Sequence, residues 1–286
     1  MIVKKCFKGI AYGVLFVFCL FFYAYQIEPN LFEVKTVPIK TEYIPKSFEK
    51  LRIVHFSDTH LGDHFTTRDF NKAAKQINAL KPDLIAFTGD FFNHFASYHS
   101  SQKKEAQRIL DSLKAKYGKF AVFGNHDRGG GAGTQYESFM EDAGFNVLVN
   151  ETITLISREG ERITITGLDD YLLGTPLAEK TLAKIKEEDF NLLLVHEPDT
   201  ALDFKLYPLD LQLSGHSHGG QVQIPFKGAI ILPPLAEHYR EGLYEQMGAA
   251  KKMHVYVNRG MGTSRIPFRF LSKPELTLII LESYCN

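Results

Sequence analysis

Apolar residues are distributed along the chain as one long uncharged run followed by many short runs separated by polar residues. The long run covers residues 9–25 and follows Lys4, Lys5 and Lys8. At a helical rise of about 1.5 Å per residue it spans about 25 Å, which is short but sufficient for a bilayer. The pattern predicts an uncleaved transmembrane signal-anchor over residues 1–27. A cleaved signal peptide and a buried helix of the domain are the alternatives.

The charges around this run predict how the chain is arranged at a membrane. Because the lysines precede the run and are scarce just after it, the N-terminus is predicted to be cytoplasmic and the remaining chain extracytoplasmic. Residues 28–50 contain three prolines amid mixed charge, which predicts a tether. Residues 51–284 contain no linker that would divide them. We therefore expect a single-pass protein of the cell membrane with one folded domain.

The short runs predict β-α-β units at the start of this domain. Residues 52–56 and 83–88 are rich in apolar residues and end in Ser-Asp and Gly-Asp, with a helical pattern at 68–80 between them. A polar helical stretch at 101–116 then leads to a strand at 119–123, which ends in Gly-Asn-His-Asp. Three strands are therefore predicted to carry polar residues at their carboxyl ends.

The second half of the domain has shorter and more closely spaced elements. After a helix near 136–143, strands at 146–149, 152–157 and 162–166 lie so close in sequence that antiparallel pairing is expected. The elements predicted beyond them are a helix at 177–187 and strands at 191–195, 209–213, 254–257 and 275–281.

Composition narrows the possible functions. The chain of 286 residues has 33 Lys plus Arg and 33 Asp plus Glu, so it has no overall field that would gather a polyanion such as DNA. No nucleic-acid partner is expected. The apolar share of 44% and the charged share of 23% are those of a globular protein, which excludes disorder as its main state.

Histidine, aspartate and asparagine side chains recur where the predicted strands end. Asp58 and His60 stand at i and i+2, where an extended segment would place both side chains on one side. The carboxylate of Asp90 has two oxygens and is predicted to bridge two cations. A single Asp at the end of a strand is often a turn residue, and a single His there often only forms a hydrogen bond with the backbone. Together they predict a metal site, and mixed N and O ligands suit Mn, Fe, Zn or Ni better than Ca. The candidate donors are Asp58, His60, Asp90, Asn125, His126, His196, His216 and His218.

The motifs Asp-x-His, Gly-Asp, Gly-Asn-His-Asp, Val-His-Glu and Gly-His-x-His, in this order over residues 51–281, resemble the calcineurin-like metallophosphoesterase family. The resemblance implies an α/β fold, a four-layer αββα sandwich of two mixed β-sheets flanked by helices. It also implies two divalent metal ions per chain, with Mn, Zn, Fe, Ni and Mg as candidates, and no organic cofactor. The implied roles are one ion on Asp58, His60, Asp90 and His218, the other on Asp90, Asn125, His196 and His216, and His126 as the catalytic acid.

Residues 214–221 and 258–262 are similar to those of the bacterial membrane-anchored, YkuE-like branch of phosphodiesterases. Asn93 departs from the family pattern, because relatives often carry there an acid that supports the catalytic histidine. Asp127 is the expected substitute. Arg128 and Arg259 are predicted phosphate ligands, since a guanidinium matches two phosphate oxygens. Solvent-exposed loop arginines are the alternative for both.

These observations predict a dinuclear-metal-dependent phosphoesterase, a phosphodiesterase acting on a membrane or envelope phosphate ester. Because the domain is tethered to a membrane, the expected substrates are phospholipids, lipid-linked phosphates or wall phosphodiesters. The segments 224–234 and 266–271 combine apolar and basic residues and either contact lipid or pack in the core. The alternatives for the whole protein are a non-catalytic metal-binding envelope protein and a metal-dependent nuclease of the same superfamily.

Overall fold

The short apolar runs form the strands of two six-stranded mixed sheets that lie face to face. The computed structural model describes residues 2–133 and 135–284, with side chains from residue 7 onward. The strands are β1 (Glu33–Lys40), β2 (Arg52–Phe56), β3 (Leu84–Phe87), β4 (Lys119–Ala121), β5 (Phe145–Val147), β6 (Glu151–Ile156), β7 (Arg162–Gly167), β8 (Phe190–Leu194), β9 (Leu211–Ser214), β10 (Gln223–Ile224), β11 (Gly228–Ala229), β12 (Gly242–Met247), β13 (Lys252–Val257) and β14 (Glu275–Glu282).

The first sheet has the order β1-β14-β2-β3-β4-β5, and the second has the order β12-β13-β9-β8-β7-β6. Strands β2 to β5 are parallel to one another, as are β7, β8, β9 and β13. The short hairpin β10–β11 stands apart from both sheets. The α-helices are α1 (Ile2–Phe22), α2 (Thr67–Ala79), α3 (Ser100–Asp111), α4 (Asn125–Gly129), α5 (Gln135–Glu141) and α6 (Ala178–Leu182).

Buried residues alternate between two cores along each central strand. In β2, Ile53 lies in the core between the two sheets, whereas Val54 and Phe56 lie in the core beneath α2, α3 and α5. A third apolar cluster covers the outer face of the second sheet and includes Leu182 of α6. Strands buried on both faces read as continuous apolar runs, which is why the sequence revealed them. The expected four-layer αββα sandwich is confirmed.

Two parts of the fold differ from the expectation. The segment 28–50 was expected to be a tether, but it contains β1, which pairs in parallel with β14 over its whole length. The alternating intermediate and exposed residues of this edge strand, and its proline, hid it in the sequence. Strand β5 was expected to pair antiparallel with its successor, but it extends the first sheet in parallel beside β4. Among these three strands, only β6 and β7 pair with each other in antiparallel fashion.

The apolar N-terminal run forms a helix that projects from the domain. Almost none of it is buried, so the alternative of a buried domain helix is wrong. The helical segment Phe7–Asn30 is long and apolar enough to cross a membrane, although a signal sequence would have the same properties. The side chains of Lys4 and Lys5, on which the predicted orientation partly rests, lie outside the described residues. The anchor and its orientation therefore stay predictions.

Lys251 and Asp210 form an ion pair with both side chains fully buried, Nζ to Oδ2 2.9 Å. Burial raises the pKa of Asp210 to about 6 even though Lys251 opposes the shift. We expect Lys251→Met to lower the free energy of unfolding by about 3–5 kcal/mol at neutral pH, because it leaves a buried charge without its partner. Because Lys251 lowers the pKa of Asp210, its removal raises that pKa further, and the loss should shrink as the pH falls through this higher pKa, where the carboxyl takes up a proton and the charge disappears.

Denaturant unfolding at several pH values measures this effect. Lys252→Met is the matched control, because the neighbouring Lys252 pairs with Glu245 at the solvent-exposed surface and its loss should matter little. Equal destabilisation by both substitutions would show that the buried pair has no special role.

Candidate metal centre

The predicted ligands gather at one edge that both sheets share. Asp58, Asp90 and Asn125 follow β2, β3 and β4 of the first sheet, whereas His196 and His216 follow β8 and β9 of the second. Parallel strands deliver the residues after their carboxyl ends to the same edge, so five sequence-distant segments meet there. Six of the seven predicted ligands are buried, and Asn125 is half-buried.

Five of these ligands have left-handed backbone conformations, which non-glycine residues seldom adopt. The positive φ angles are 49° at Asp58, 40° at His60, 60° at Asp90, 68° at His216 and 51° at His218. Asp58 and His60 were expected to lie on one side of an extended segment. That expectation is wrong, because the backbone turns at both residues and the turn directs their side chains together. Strained backbone of this kind is concentrated at functional sites.

Glycines beside the ligands allow the chain segments to approach one another. A Cβ atom at Gly215 would lie 1.9 Å from Ser57 Oγ and 2.2 Å from Asp58 Oδ2. Such distances are impossible, so only glycine fits before His216. The close approach also lets the His216 N–H donate to Asp58 Oδ2 at 2.9 Å.

The first group of donor atoms consists of Asp58, His60 and His218. The two Nε2 atoms of His60 and His218 are 3.1 Å apart, and Asp58 Oδ1 lies 3.3 Å from His218 Nε2 and 3.8 Å from His60 Nε2. Ligand atoms that each lie about 2.0–2.2 Å from one zinc ion are separated by about 3–3.5 Å. Asp58 Oδ1 is also buried and makes no hydrogen bond with the described residues. This group therefore fits a divalent cation.

Asp90 links the first group to a second one. Its Oδ2 atom lies 3.5 Å from His60 Nε2 and 3.3 Å from His196 Nε2. The Nδ1 of His196 is 2.6 Å from the Thr88 carbonyl oxygen, so in the neutral ring Nδ1 carries the proton and Nε2 carries the lone pair. That Nε2 atom is buried without a hydrogen-bond partner among the described residues. One oxygen of Asp90 is thus placed between two imidazoles that belong to different donor groups.

Asn125 and His216 are the two remaining predicted ligands. The Asn125 Oδ1 atom is buried and accepts no hydrogen bond from the described residues, which suits an oxygen that binds a cation. The ring of His216 lies 4.9 Å from that of His196, centroid to centroid. Its Nε2 is 3.0 Å from the Pro234 carbonyl oxygen, so Nδ1 is the nitrogen that remains to bind a cation. In the described residues a second group of mutually close donor atoms is that of Asp58, Asp90 and His196, and Asn125 and His216 offer further atoms in forms that suit a cation.

The electrostatics of the site favour the ligand forms of His216, His218 and Asp58. The nearby carboxylates of Asp90 and Asp58, in contrast, hold the pKa of His196 well above its usual range, so a cation would have to displace its Nε2 proton. Burial lowers the pKa of His216 to about 4 and also lowers the pKa of His218, so both imidazoles are neutral near pH 7. Burial alone would raise the pKa of Asp58. The nearby His218, His60 and His196 together have a larger effect in the opposite direction, so the pKa lies well below its usual value. Neutral imidazoles and ionised carboxylates are the forms that bind metal ions.

His126 lies beside both groups and is held by the backbone. The ring Nδ1 of His126 is 2.8 Å from the Asn93 carbonyl oxygen, and the backbone N–H of His126 donates to Asp90 Oδ1 at 2.8 Å. Asp127 was expected to orient this ring, but its carboxylate accepts N–H bonds from Gly124, Asp90 and Phe91 instead. That expectation is wrong, because Asp127 joins the two loops and does not contact the imidazole.

The orientation of His126 by a backbone carbonyl has a measurable consequence. We expect Asn93→Ala to change kcat for phosphodiester hydrolysis by less than about tenfold, because the carbonyl oxygen remains when the side chain is removed. Steady-state kinetics of the full-length chain check this. A loss of about 100-fold or more would show that the Asn93 side chain itself takes part. Asn93→Asp should likewise give no gain in activity.

The two predicted phosphate-binding arginines already have carboxylate partners. Arg128 Nε and Nη2 both donate to one oxygen of Asp169, at 2.8 and 2.6 Å, and its guanidinium lies 3.6 Å from the centre of the Phe123 ring. Arg259 is buried and pairs with Glu33, Glu241 and Glu275. Neither set of contacts favours the expected role. The ion pairs of Arg259 join β1 and β14 to the loop after β13.

Arg269 is a structural residue of the site that the sequence analysis missed. It is fully buried and donates to the carbonyl oxygens of Arg259, Gly260 and Gly262, and to that of Ser272. The loop 258–262 in turn lies against Asp58 and His60, since a Cβ at Gly262 would be 3.2 Å from His60 Cβ. A single arginine within the apolar segment 266–271 was the available signal.

Two mixed sheets with aspartate and histidine donors at their shared edge define this protein as a metal-dependent hydrolase of phosphate esters. The chain belongs to the calcineurin-like phosphoesterase family, which it matches over residues 51–220. The family generally binds two metal ions, in agreement with the donor groups found here.

Several relatives align over nearly the whole chain. The metallophosphoesterase YkuE of Bacillus subtilis is 45% identical over 98% of this chain and 96% of its own length. The phosphodiesterase YaeI of Escherichia coli is 28% identical over 91% of this chain and 92% of its own. The UDP-2,3-diacylglucosamine pyrophosphatase LpxG of Chlamydia muridarum is 28% identical over 90% and 91%, respectively. The expected resemblance to the YkuE-like branch is confirmed.

Proposed function

We propose that this protein is a phosphodiesterase that uses two divalent metal ions to cleave a phosphate ester of the membrane or envelope. The observation that carries the proposal is the position of Asp90 Oδ2, 3.5 Å from His60 Nε2 and 3.3 Å from His196 Nε2. A carboxylate oxygen shared by two sets of imidazoles suits two adjacent cations better than one.

The side chains that would hold the ions divide around Asp90. When bound, the ions supply a water nucleophile at neutral pH and neutralise charge on the phosphoryl oxygens. The first set is Asp58, His60, Asp90 and His218, and the second is Asp90, Asn125, His196 and His216.

His126 is the proposed general acid. Because its Nδ1 is bonded to the Asn93 carbonyl oxygen, Nε2 is the nitrogen that can carry a proton to the leaving oxygen. The half-buried ring contacts His60 edge to face, with centroids 4.6 Å apart. His126 also lies within 4.8 Å of donor atoms of His60 and Asp90, so the geometry alone would allow it to bind an ion. The family pattern favours the acid.

The substrate class follows from location. The apolar helix α1 is proposed to anchor the catalytic domain outside the cytoplasm, so phosphate esters of lipids or of the envelope are within reach. The relatives include a phosphodiesterase, YaeI, and a pyrophosphatase of UDP-2,3-diacylglucosamine, LpxG. The diacylated substrate of the pyrophosphatase supports a substrate at the membrane. The balanced charge of the chain gives no support to the nuclease alternative.

Metal removal tests the proposal directly. The full-length chain in detergent should hydrolyse bis-p-nitrophenyl phosphate, lose this activity after chelation, and regain it when Mn, Zn, Mg or Ni is added separately. The whole chain is used because residues 24–40 are part of the folded structure. Failure of every metal to restore hydrolysis, in protein shown to bind two ions, would favour a non-catalytic role.

The non-catalytic alternative rested on Asn93, which departs from the family pattern. Since the Asn93 backbone carbonyl performs the orienting contact, the side chain at this position is not a sign of lost activity. The catalytic reading is therefore preferred.

A further inference from the structure

The end of α1 is attached to the domain beside the metal centre. Phe21 and Tyr25 contact the ring of Phe268, at centroid distances of 6.0 and 5.4 Å. The Arg269 N–H donates to the Ala24 carbonyl oxygen at 2.9 Å. The Glu28 side chain is buried and accepts the Ser272 N–H at 2.6 Å. The C-terminal end of α1 is thus packed against the domain. The direction of α1 therefore determines which face of the domain meets the bilayer.

The segments around this attachment form one surface, which we call the anchor-side surface and define as residues 221–235 and 263–273. The two segments are joined by hydrogen bonds from the Gln223 N–H to Phe270 O, 2.9 Å, and from the Phe270 N–H to Gln221 O, 2.8 Å. The hairpin β10–β11 belongs to this surface. Tyr23 also contacts the Phe270 ring, so the surface is continuous with the end of α1.

Large apolar side chains on the anchor-side surface are exposed, which excludes core packing for them. Phe226 at the tip of the hairpin is fully exposed, and Ile231 has 74% of its area exposed. A contiguous exposed apolar patch marks a site of protein or membrane contact. The exposed apolar residues of this surface are Ile224, Phe226, Ile230, Ile231, Ile266 and Leu271.

The charge of the same surface identifies its partner. Residues 221–235 and 263–273 contain no Asp or Glu, and Lys227, Arg265 and Lys273 are exposed. Apolar side chains interspersed with cations match the surface of an anionic bilayer. The apolar side chains would be buried at the acyl boundary, and the anionic headgroups would attract the cations. A bilayer is also the one partner whose position the attached helix already determines.

The anchor-side surface directly supports the metal centre. The Ser272 hydroxyl donates to the His218 carbonyl oxygen at 2.9 Å, and Pro234 accepts from the His216 ring. A Cβ at Gly220, two residues after His218, would lie 2.3 Å from the Ala229 Cβ. The donor groups and the exposed apolar patch are therefore separated by only one layer of chain.

We propose that the anchor-side surface docks on the anionic bilayer from which α1 emerges and presents lipid phosphodiesters to the metal centre at the membrane surface. This inference rests on the proposed function for its substrate class. Docking itself depends only on the exposed side chains, the cations and the attached helix.

Tryptophan fluorescence tests docking, because the natural chain has no tryptophan. In full-length protein reconstituted into phosphatidylglycerol vesicles, the Phe226→Trp emission should shift to shorter wavelength and lose most of its intensity when the acyl chains are brominated. Leu206→Trp is the matched control. It is highly exposed, but it precedes β9 and so lies at the opposite end of that strand from the ligands. Docking would be overturned if the two variants were quenched equally, or if the Phe226→Trp variant were not quenched at all.

A second measurement separates docking from the proposed chemistry. Phe226→Asp should lower several-fold the hydrolysis of a p-nitrophenyl ester of phosphatidic acid in the same vesicles, and should leave hydrolysis of soluble bis-p-nitrophenyl phosphate unchanged. An equal loss on both substrates would overturn presentation of lipid substrates. If the natural chain cleaves neither substrate, the proposed function fails, whereas the quenching experiment still decides docking.

Discussion

Asp90→Asn should lower kcat/KM for phosphodiester hydrolysis by about 10³-fold and reduce the bound metal content. Bound metal ions contribute several kcal/mol of transition-state stabilisation, and each factor of ten in rate corresponds to about 1.4 kcal/mol. The substitution keeps the shape of the side chain, but it removes the negative charge whose Oδ2 faces both His60 and His196. A neutral amide cannot bridge two cations as a carboxylate can.

Metal analysis of the purified variant, together with kinetics, checks this prediction. Asp142→Asn is the matched control, because Asp142 is an exposed carboxylate just after α5 and its loss should change neither quantity. Thermal unfolding of both variants tests whether the fold survives, since Asp90 also accepts the His126 N–H. Retention of two ions with a rate within tenfold of the natural chain would disprove the bridging role.

His126→Ala should lower kcat by about 10²- to 10⁴-fold for esters whose leaving group is a poor one, such as an alkoxide. The effect should be much smaller for a p-nitrophenolate leaving group, because that anion departs without a proton. Metal content should stay unchanged, since the proposed role of His126 is proton delivery from Nε2. A comparison of the same variant on the two kinds of substrate therefore measures the acid function separately from metal binding.

His94→Ala is the control for this prediction, because His94 is exposed and its ring lies 6.1 Å from that of His126, centroid to centroid. It tests whether any neighbouring imidazole contributes to the rate. If His126→Ala lost metal, or slowed both classes of leaving group equally, His126 would be a ligand. The grouping of its donor atom with those of His60 and Asp90 makes this a genuine alternative.

The site was predictable to the extent that its chemistry follows the strand ends. Each ligand stands just after an apolar run, and parallel strands deliver their carboxyl ends to one edge, so the order of motifs indicated a shared site. The direct partners of these ligands were not predictable. Thr88 and Pro234 act on His196 and His216 through carbonyl oxygens, and every residue has a carbonyl. No side-chain pattern could identify which ones.

By itself, the sequence determined the class of fold, the candidate donor residues and the apolar helix, because each depends on local periodicity or on residue type. Only the tertiary structure decided that β1 joins the first sheet, that the Asn93 carbonyl oxygen orients His126, and that Arg259 forms ion pairs within the protein. These features depend on contacts between residues far apart in the chain, such as that of Arg259 with Glu33. The exposure of Phe226 was likewise undecided in sequence, because an apolar residue looks the same in a core and at a membrane until its neighbours are known.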